Sequence, residues 1–166
     1  IDLSSGKYYE VQRIMSTLDF LLSRYELKYD ITPRDLSGFG DRFNNIIQTA
    51  AAQTGQKVVV LIDEYDAPLQ CAWSHGYYDE AIGFFRSLYS SALKSNPSLD
   101  FASLTGELRI AKESIFSGLN NLRVSSALSG GYASACGYTK AEVAKMAHDL
   151  GHDDKLEELA SWYDGY

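Results

Sequence analysis

Apolar residues at Val11, Ile14, Met15, Leu18, Leu21, Leu22 and Tyr25 recur at the spacing of one helical face, with charged and small polar residues between them. That spacing predicts an amphipathic helix. Thr32-Pro33-Arg34-Asp35 offers a cap, a proline for the first helical position and an acid for the first turn. Phe39, Phe43, Ile46, Ile47 and Ala50 continue a second helical face, which Gly55 closes, while Gly38 and Gly40 leave its start open. Lys57 to Ile62 then reads KVVVLI, an uninterrupted run of the kind found in strands buried on both faces of a parallel sheet. Tyr78, Ile82, Phe85, Tyr89 and Ala92 mark a third helix, stopped by Asn96-Pro97, and Leu99 to Leu104 predicts a second strand. Alternation with short joints predicts a βαβ unit whose strands, 57–62 and 99–104, run parallel through a right-handed crossover. A third strand is expected at Arg123 to Leu128. Thr139-x-x-Glu142 is a capping box opening a helix with Val143, Met146, Ala147 and Leu150 on one face, ended by Gly151, and a short helix is expected over 154–162.

Composition narrows the function classes. The chain has 166 residues, 45% of them hydrophobic, and a formal net charge of −7. An acidic surface repels phosphate backbones, which argues against direct nucleic-acid binding by this segment. The longest strongly apolar run, Val58 to Ile62, is far too short to span a bilayer, so no membrane partner is expected. Cys71 and Cys136 form neither a CxxC nor a disulfide framework, which points to a reducing compartment and a cytoplasmic location. The chain opens on Ile1 and closes on the aromatic string WYDGY, and is expected to be a piece of a longer protein.

The strongest chemical signal is VVVLIDEYD, Val58 to Asp66, where a hydrophobic strand delivers two adjacent acids at its carboxyl end. Ligands of parallel α/β sheets bind outside the carboxyl ends of the strands, and this arrangement has the form of a Walker B element. An aspartate there holds Mg²⁺, mostly through water, because a hard cation takes oxygen ligands, and the neighbouring glutamate orients and deprotonates the attacking water. Asp63 is the metal and cofactor candidate, and Glu64 the catalytic one. Thr105, at the tip of the second strand, is placed to meet a γ-phosphate or the lytic water, and Arg109 follows closely as a charge for phosphate. No GxxxxGK[ST] loop occurs, so the cradle of backbone N–H groups that Walker A supplies is missing from this chain.

The chain resembles the predicted AAA-ATPase domains of bacterial and archaeal proteins that often carry a C-terminal PD-(D/E)XK nuclease-like domain. The resemblance rests on VLIDEYDAPL at Val60 to Leu69, SLTGELRIAKESIFSGLNNL at Ser103 to Leu122, CGYTKAEV at Cys136 to Val143, and the terminal WYDGY. Family members carry a P-loop upstream, in an Arg-Pro-Arg-Arg-Phe-Gly-Lys-Ser type stretch, and this chain looks like the part after it. The resemblance implies an α/β, P-loop NTPase-like parallel sheet flanked by helices, incomplete for want of the Walker A strand, over residues 1–135. A small helical region at 136–166 would begin a lid. It implies ATP and Mg²⁺ as cofactors of the intact protein, with Asp63 and Glu64 as Walker B and Thr105 near sensor 1. It also admits a homo-oligomer and a nuclease-like domain as partners. The isolated chain, lacking the phosphate cradle, is expected to bind Mg·ATP weakly and to be inactive.

Two function classes stay open: an ATP hydrolase, and a regulatory or protein-interaction module in which the nucleotide fold does not hydrolyse. A Mg²⁺-dependent phosphodiesterase or glycosidase using Asp63, Glu64 and Asp66 directly fits less well, because no second acidic strand end accompanies them. His148 and His152 stand four apart, but Gly151 interrupts the helix between them, and a solvated helix end explains them better than a metal site. His75 reads as a loop residue without a role.

Overall fold

Val58–Ile62 forms β1 and Leu99–Leu104 forms β2, and the two pair in parallel with Ile62 opposite Leu104. This is a computed structural model, and it describes residues 1–4, 6–32, 38–107, 115, 116, 119, 122–126 and 137–163. The chain divides into two compact units, Ile1–Leu122 and Arg123–Tyr166. The first is mixed α/β, with helices α1 (Val11–Lys28) and α2 (Phe39–Thr54) before β1, and α3 (Ala67–His75) and α4 (Tyr78–Leu93) between the strands. Its two-stranded parallel sheet has the predicted connectivity, strand to helix to adjacent parallel strand. Ile1 to Leu3 lie along the other edge of β1, where the Asp63 amide donates to the Ile1 carbonyl at 2.8 Å and the Leu3 amide to the Asp63 carbonyl at 3.1 Å.

The periodic positions of the helices face a common core. Val11, Ile14, Leu18 and Leu22 of α1 are buried, as are Phe43, Ile46, Ile47 and Ala50 of α2 and Ile82, Phe85, Tyr89 and Ala92 of α4. Helix α2 packs on α1, α4 and both strands, and α3 packs on α4. Gly55 ends α2 in the left-handed conformation at φ 68°, a backbone that a side chain would strain. Buried in α1 beside this core is an acid, Glu26, whose carboxylate accepts both Nε and a terminal nitrogen of Arg42 at 2.8 and 2.7 Å. Arg42 also donates to Asp19 at 2.6 Å, so one guanidinium ties α2 to α1.

Four expectations are corrected. The β1 run is buried on one face only: Val60 and Ile62 point inward, while Val59, Leu61 and the neighbouring Phe101 are 54, 62 and 59% exposed. The pattern of a two-faced strand is therefore present without a cover on the second face among the described residues. Arg123 to Ser126 form no strand, and positions 127 and 128 of that expectation lie outside the described residues. Helix α2 opens at Phe39 behind Gly38 rather than from the Thr32 cap, whose following residues 33–37 are likewise outside them. His75 ends α3 rather than sitting in a loop; this nine-residue helix begins with Pro68 in its first turn and stops at Gly76.

In the second unit, α5 (Lys140–Asp149) opens on the expected capping box: the Thr139 amide donates to Glu142 at 2.7 Å and the Glu142 amide to the Thr139 hydroxyl at 3.3 Å. A 3₁₀ turn at Asp153–Lys155 leads into α6 (Leu156–Tyr163). His148 contacts Asp153 through Nδ1 at 3.1 Å. Among the described residues no helix is long and apolar enough to cross a membrane.

Two outcomes test this description. Arg42→Ala leaves a buried carboxylate without its fork and lowers unfolding free energy by about 3 kcal/mol in a denaturant titration, whereas a surface pair would change it by less than about 1 kcal/mol. The sheet face left uncovered among the described residues is expected to make residues 1–166 bind a hydrophobic dye and self-associate in light scattering, and Leu61→Lys with Phe101→Ser should reduce both.

Candidate functional site

The backbone pairing continues past both strands and carries their polar ends together. The Thr105 amide donates to the Ile62 carbonyl at 2.9 Å, and the Tyr65 amide returns to the Thr105 carbonyl at 2.9 Å. Between these two bonds the Thr105 hydroxyl donates to Oδ1 of Asp63. Two of the residues singled out from sequence, forty-two positions apart, are thus in direct contact. The hydroxyl occupies one lone pair of an exposed carboxylate.

Glu64 follows Asp63 but leaves the strand direction abruptly. Its backbone is left-handed at φ 54°, a conformation that costs a non-glycine residue about 1 to 2 kcal/mol. The turn sends the chain from β1 into α3, with the Ala67 amide donating to the Glu64 carbonyl at 3.1 Å. The Glu64 carboxyl is held above the usual glutamate range, first by desolvation and then by the charges of Glu107, Asp66, Asp63 and Asp2. Asp2 behaves oppositely: the Ser4 amide donates to its Oδ1 at 2.8 Å and holds its carboxyl below the ordinary range. The carboxyl ends of three parallel segments, Ile1–Leu3, β1 and β2, are therefore ringed by acids. Asp2 and Glu107 were not evident as members, because only the pairing of distant segments brings them here.

Behind the acids the turn is packed. Tyr65 is buried, with its ring 5.4 Å from Phe116, which in turn stacks on Tyr89 at 6.1 Å. Ile115 and Phe116, from the string that follows β2, are both in the core. Asp66 is fully buried beneath the turn. Arg109 lies outside the described residues.

Among the described residues no group of three or more His, Cys, Asp or Glu side chains converges as a metal cage. A single exposed carboxylate beside a hydroxyl could hold only a hard cation that keeps most of its water.

Residues 1–116 match the family described as Predicted AAA-ATPase. The chain is also similar to an Azotobacter chroococcum mcd 1 protein described as "Uncharacterized protein in vnfD 5'region". The two are 39% identical over 127 residues, covering 75% of this chain and 24% of that protein. The chain thus spans about a quarter of the length of this relative. No solved structure matches it.

The raised Glu64 carboxyl has a measurable sign. Folding favours its protonated form, so its contribution to stability is complete at low pH and is lost as pH rises through the folded value. A carboxyl NMR titration should find Glu64 titrating above the other exposed glutamates. Glu107→Gln removes the strongest of the repelling charges, so it should lower that midpoint and raise stability at neutral pH relative to the parent.

Proposed function

Because the chain belongs to the AAA-ATPase-like family, we propose that it supplies the acidic strand ends of an ATP-hydrolysing site. The observation that carries the reading is the Thr105 hydroxyl on Asp63, which joins the ends of two adjacent parallel strands beside Glu64. In this reading residues 1–135 belong to a P-loop NTPase-like core and residues 136–166 begin a helical lid. No GxxxxGK[ST] loop occurs in this sequence, so in this reading phosphate binding draws on a Walker A loop elsewhere in the protein.

Each described side chain then has a task. Asp63 would hold Mg²⁺, mostly through water. The bound ion supplies neutralisation of the phosphate charge. Glu64 orients the attacking water and accepts its proton, for which a raised carboxyl is suited. Thr105 keeps the Asp63 carboxylate in one rotamer and presents its oxygen toward the terminal phosphate or the water. Arg109, which follows the second strand closely in sequence, is assigned to phosphate as a nearby positive charge. ATP and Mg²⁺ are the cofactors, a homo-oligomer and a nuclease-like domain the partners of the intact protein, and the cytoplasm its location.

A second reading has an observation of its own. The exposed Val59, Leu61 and Phe101 favour a regulatory or protein-interaction module in which hydrolysis is absent.

The full-length protein separates the two. Glu64→Gln should bind Mg·ATP like the parent but turn over at least about a hundredfold more slowly, since it loses only the proton acceptor. Asp63→Asn should weaken Mg·ATP binding itself. Hydrolysis at the parental rate by both variants refutes the assignment, and a parent that binds ATP without turnover supports the interaction module.

A further inference from the structure

The buried side of the same turn carries a carboxylate for which the reading above has no task. Asp66 is 0% exposed, and although it sits at the N-terminal boundary of α3 its side chain makes no capping bond to the helix. Its Oδ2 instead accepts from the Gln70 side chain at 2.8 Å, while its backbone carbonyl accepts the Leu69 and Gln70 amides, both at 2.9 Å. A buried acid is costly to keep unless its surroundings compensate it. What distinguishes the position is its neighbour across the sheet. A Cβ placed on Gly106 would overlap Asp66 Oδ1 and would come within 2.9 Å of the carboxylate carbon and 2.8 Å of the Tyr65 ring. Gly106 has no positive φ, so a turn does not explain the glycine; the space its side chain would need is filled by Asp66.

Gly106 directly follows Thr105, and Asp66 directly follows Tyr65, whose amide is bonded to the Thr105 carbonyl. The close seating of the Gly106 backbone on the Asp66 carboxylate therefore sets how far the β2 end reaches over the β1 turn. We propose that Asp66 and Gly106 form a latch between the two strand ends, and that Asp66 is a positioning residue that holds the Thr105 hydroxyl on Asp63. The inference deepens the proposed ATP-hydrolysing reading and rests on it for its functional consequence. Its geometric part stands on Gly106, Asp66 and the two backbone bonds alone.

The test uses the full-length protein with Gly106→Ala, Asp66→Asn and Thr105→Val, alone and in pairs. Hydrogen exchange reads the latch without any activity. In Gly106→Ala the Tyr65 and Thr105 amides should exchange about tenfold faster or more, while the amides of α4 keep parental rates. Turnover reads the positioning. Gly106→Ala and Asp66→Asn should lower kcat, toward about a hundredfold for the former, with the KM for ATP changed by no more than about twofold. Asp66→Asn placed on Thr105→Val should cause no further loss of kcat, because the group being positioned is already gone. Parental exchange at Tyr65 and Thr105 in Gly106→Ala overturns the latch, whatever the ATPase result. Faster exchange with parental kcat, or additive losses in the Asp66 and Thr105 pair, overturns the positioning role. Absence of ATP hydrolysis by the parent refutes the proposed function instead and leaves the latch to be judged by exchange. Should Gly106→Ala fail to fold, Asp66→Ala, which empties the space beside Gly106, carries the same exchange comparison.

Discussion

Everything at the acidic end depends on the register in which β1 is paired. Side chains alternate across a strand, so a slip of one residue between β1 and β2 would turn Thr105 away from Asp63 and send Val60 and Ile62 out of the core. The register is fixed by burial on the inner face, where Val60 and Ile62 join the core, and by the bonds that continue beyond the strands through Thr105 and Tyr65. On the opposite edge the Asp63 amide and carbonyl are both occupied by Ile1 and Leu3. The chemical end of β1 is thus clamped from both sides at the residue that bears the exposed carboxylate. Tyr8 reinforces the clamp, its buried hydroxyl donating to the Leu3 carbonyl at 2.9 Å.

Such an arrangement works against its own stability. Like charges gather at one end of the sheet, and Glu64 adopts a left-handed backbone to turn the chain into α3. Strain of this kind persists only where the surroundings over-determine it. The rings of Tyr65, Phe116 and Tyr89 fill the space behind the turn, and α3 is held by Leu69 and Ala72, both without exposure. The region after β2 contributes through Ile115 and Phe116, so at least part of that string serves to back the turn rather than to face a ligand.

Elements whose signal lies along one stretch of chain were legible. The faces of α1, α2 and α4, the closing Gly55 and the capping box at Thr139 follow from spacing and from local hydrogen-bond chemistry. Helix α3 was not legible, because its nine residues give only about two and a half turns of period and its start is hidden by the acids of the preceding strand. Nor could Glu26 be placed: Tyr25 continues the apolar spacing of α1 yet is 38% exposed, while Glu26 turns inward because Arg42 of another helix waits there. Burial of β1 on two faces was overestimated for a related reason. Apolar composition states what a strand tolerates on each face, whereas exposure depends on what else is present to cover it.

The candidate site divides along the same line. Asp63 and Glu64 are adjacent and follow an apolar run, so their chemistry is written locally, and Thr105 ends the second run in the same manner. Asp2 and Glu107 belong to the electrostatics of Glu64 only because three segments converge, which no short motif records. Gly106 shows the limit most clearly. Read along the chain, Thr-Gly is an ordinary strand terminator, a glycine chosen for a turn. In space its φ is not positive, and the missing side chain matters because the Asp66 carboxylate stands where a Cβ would go. A glycine selected by crowding and one selected by conformation look identical in sequence. They differ in what relieves the strain of replacing them: for Gly106 the relief lies forty positions away, in the residue that occupies the space.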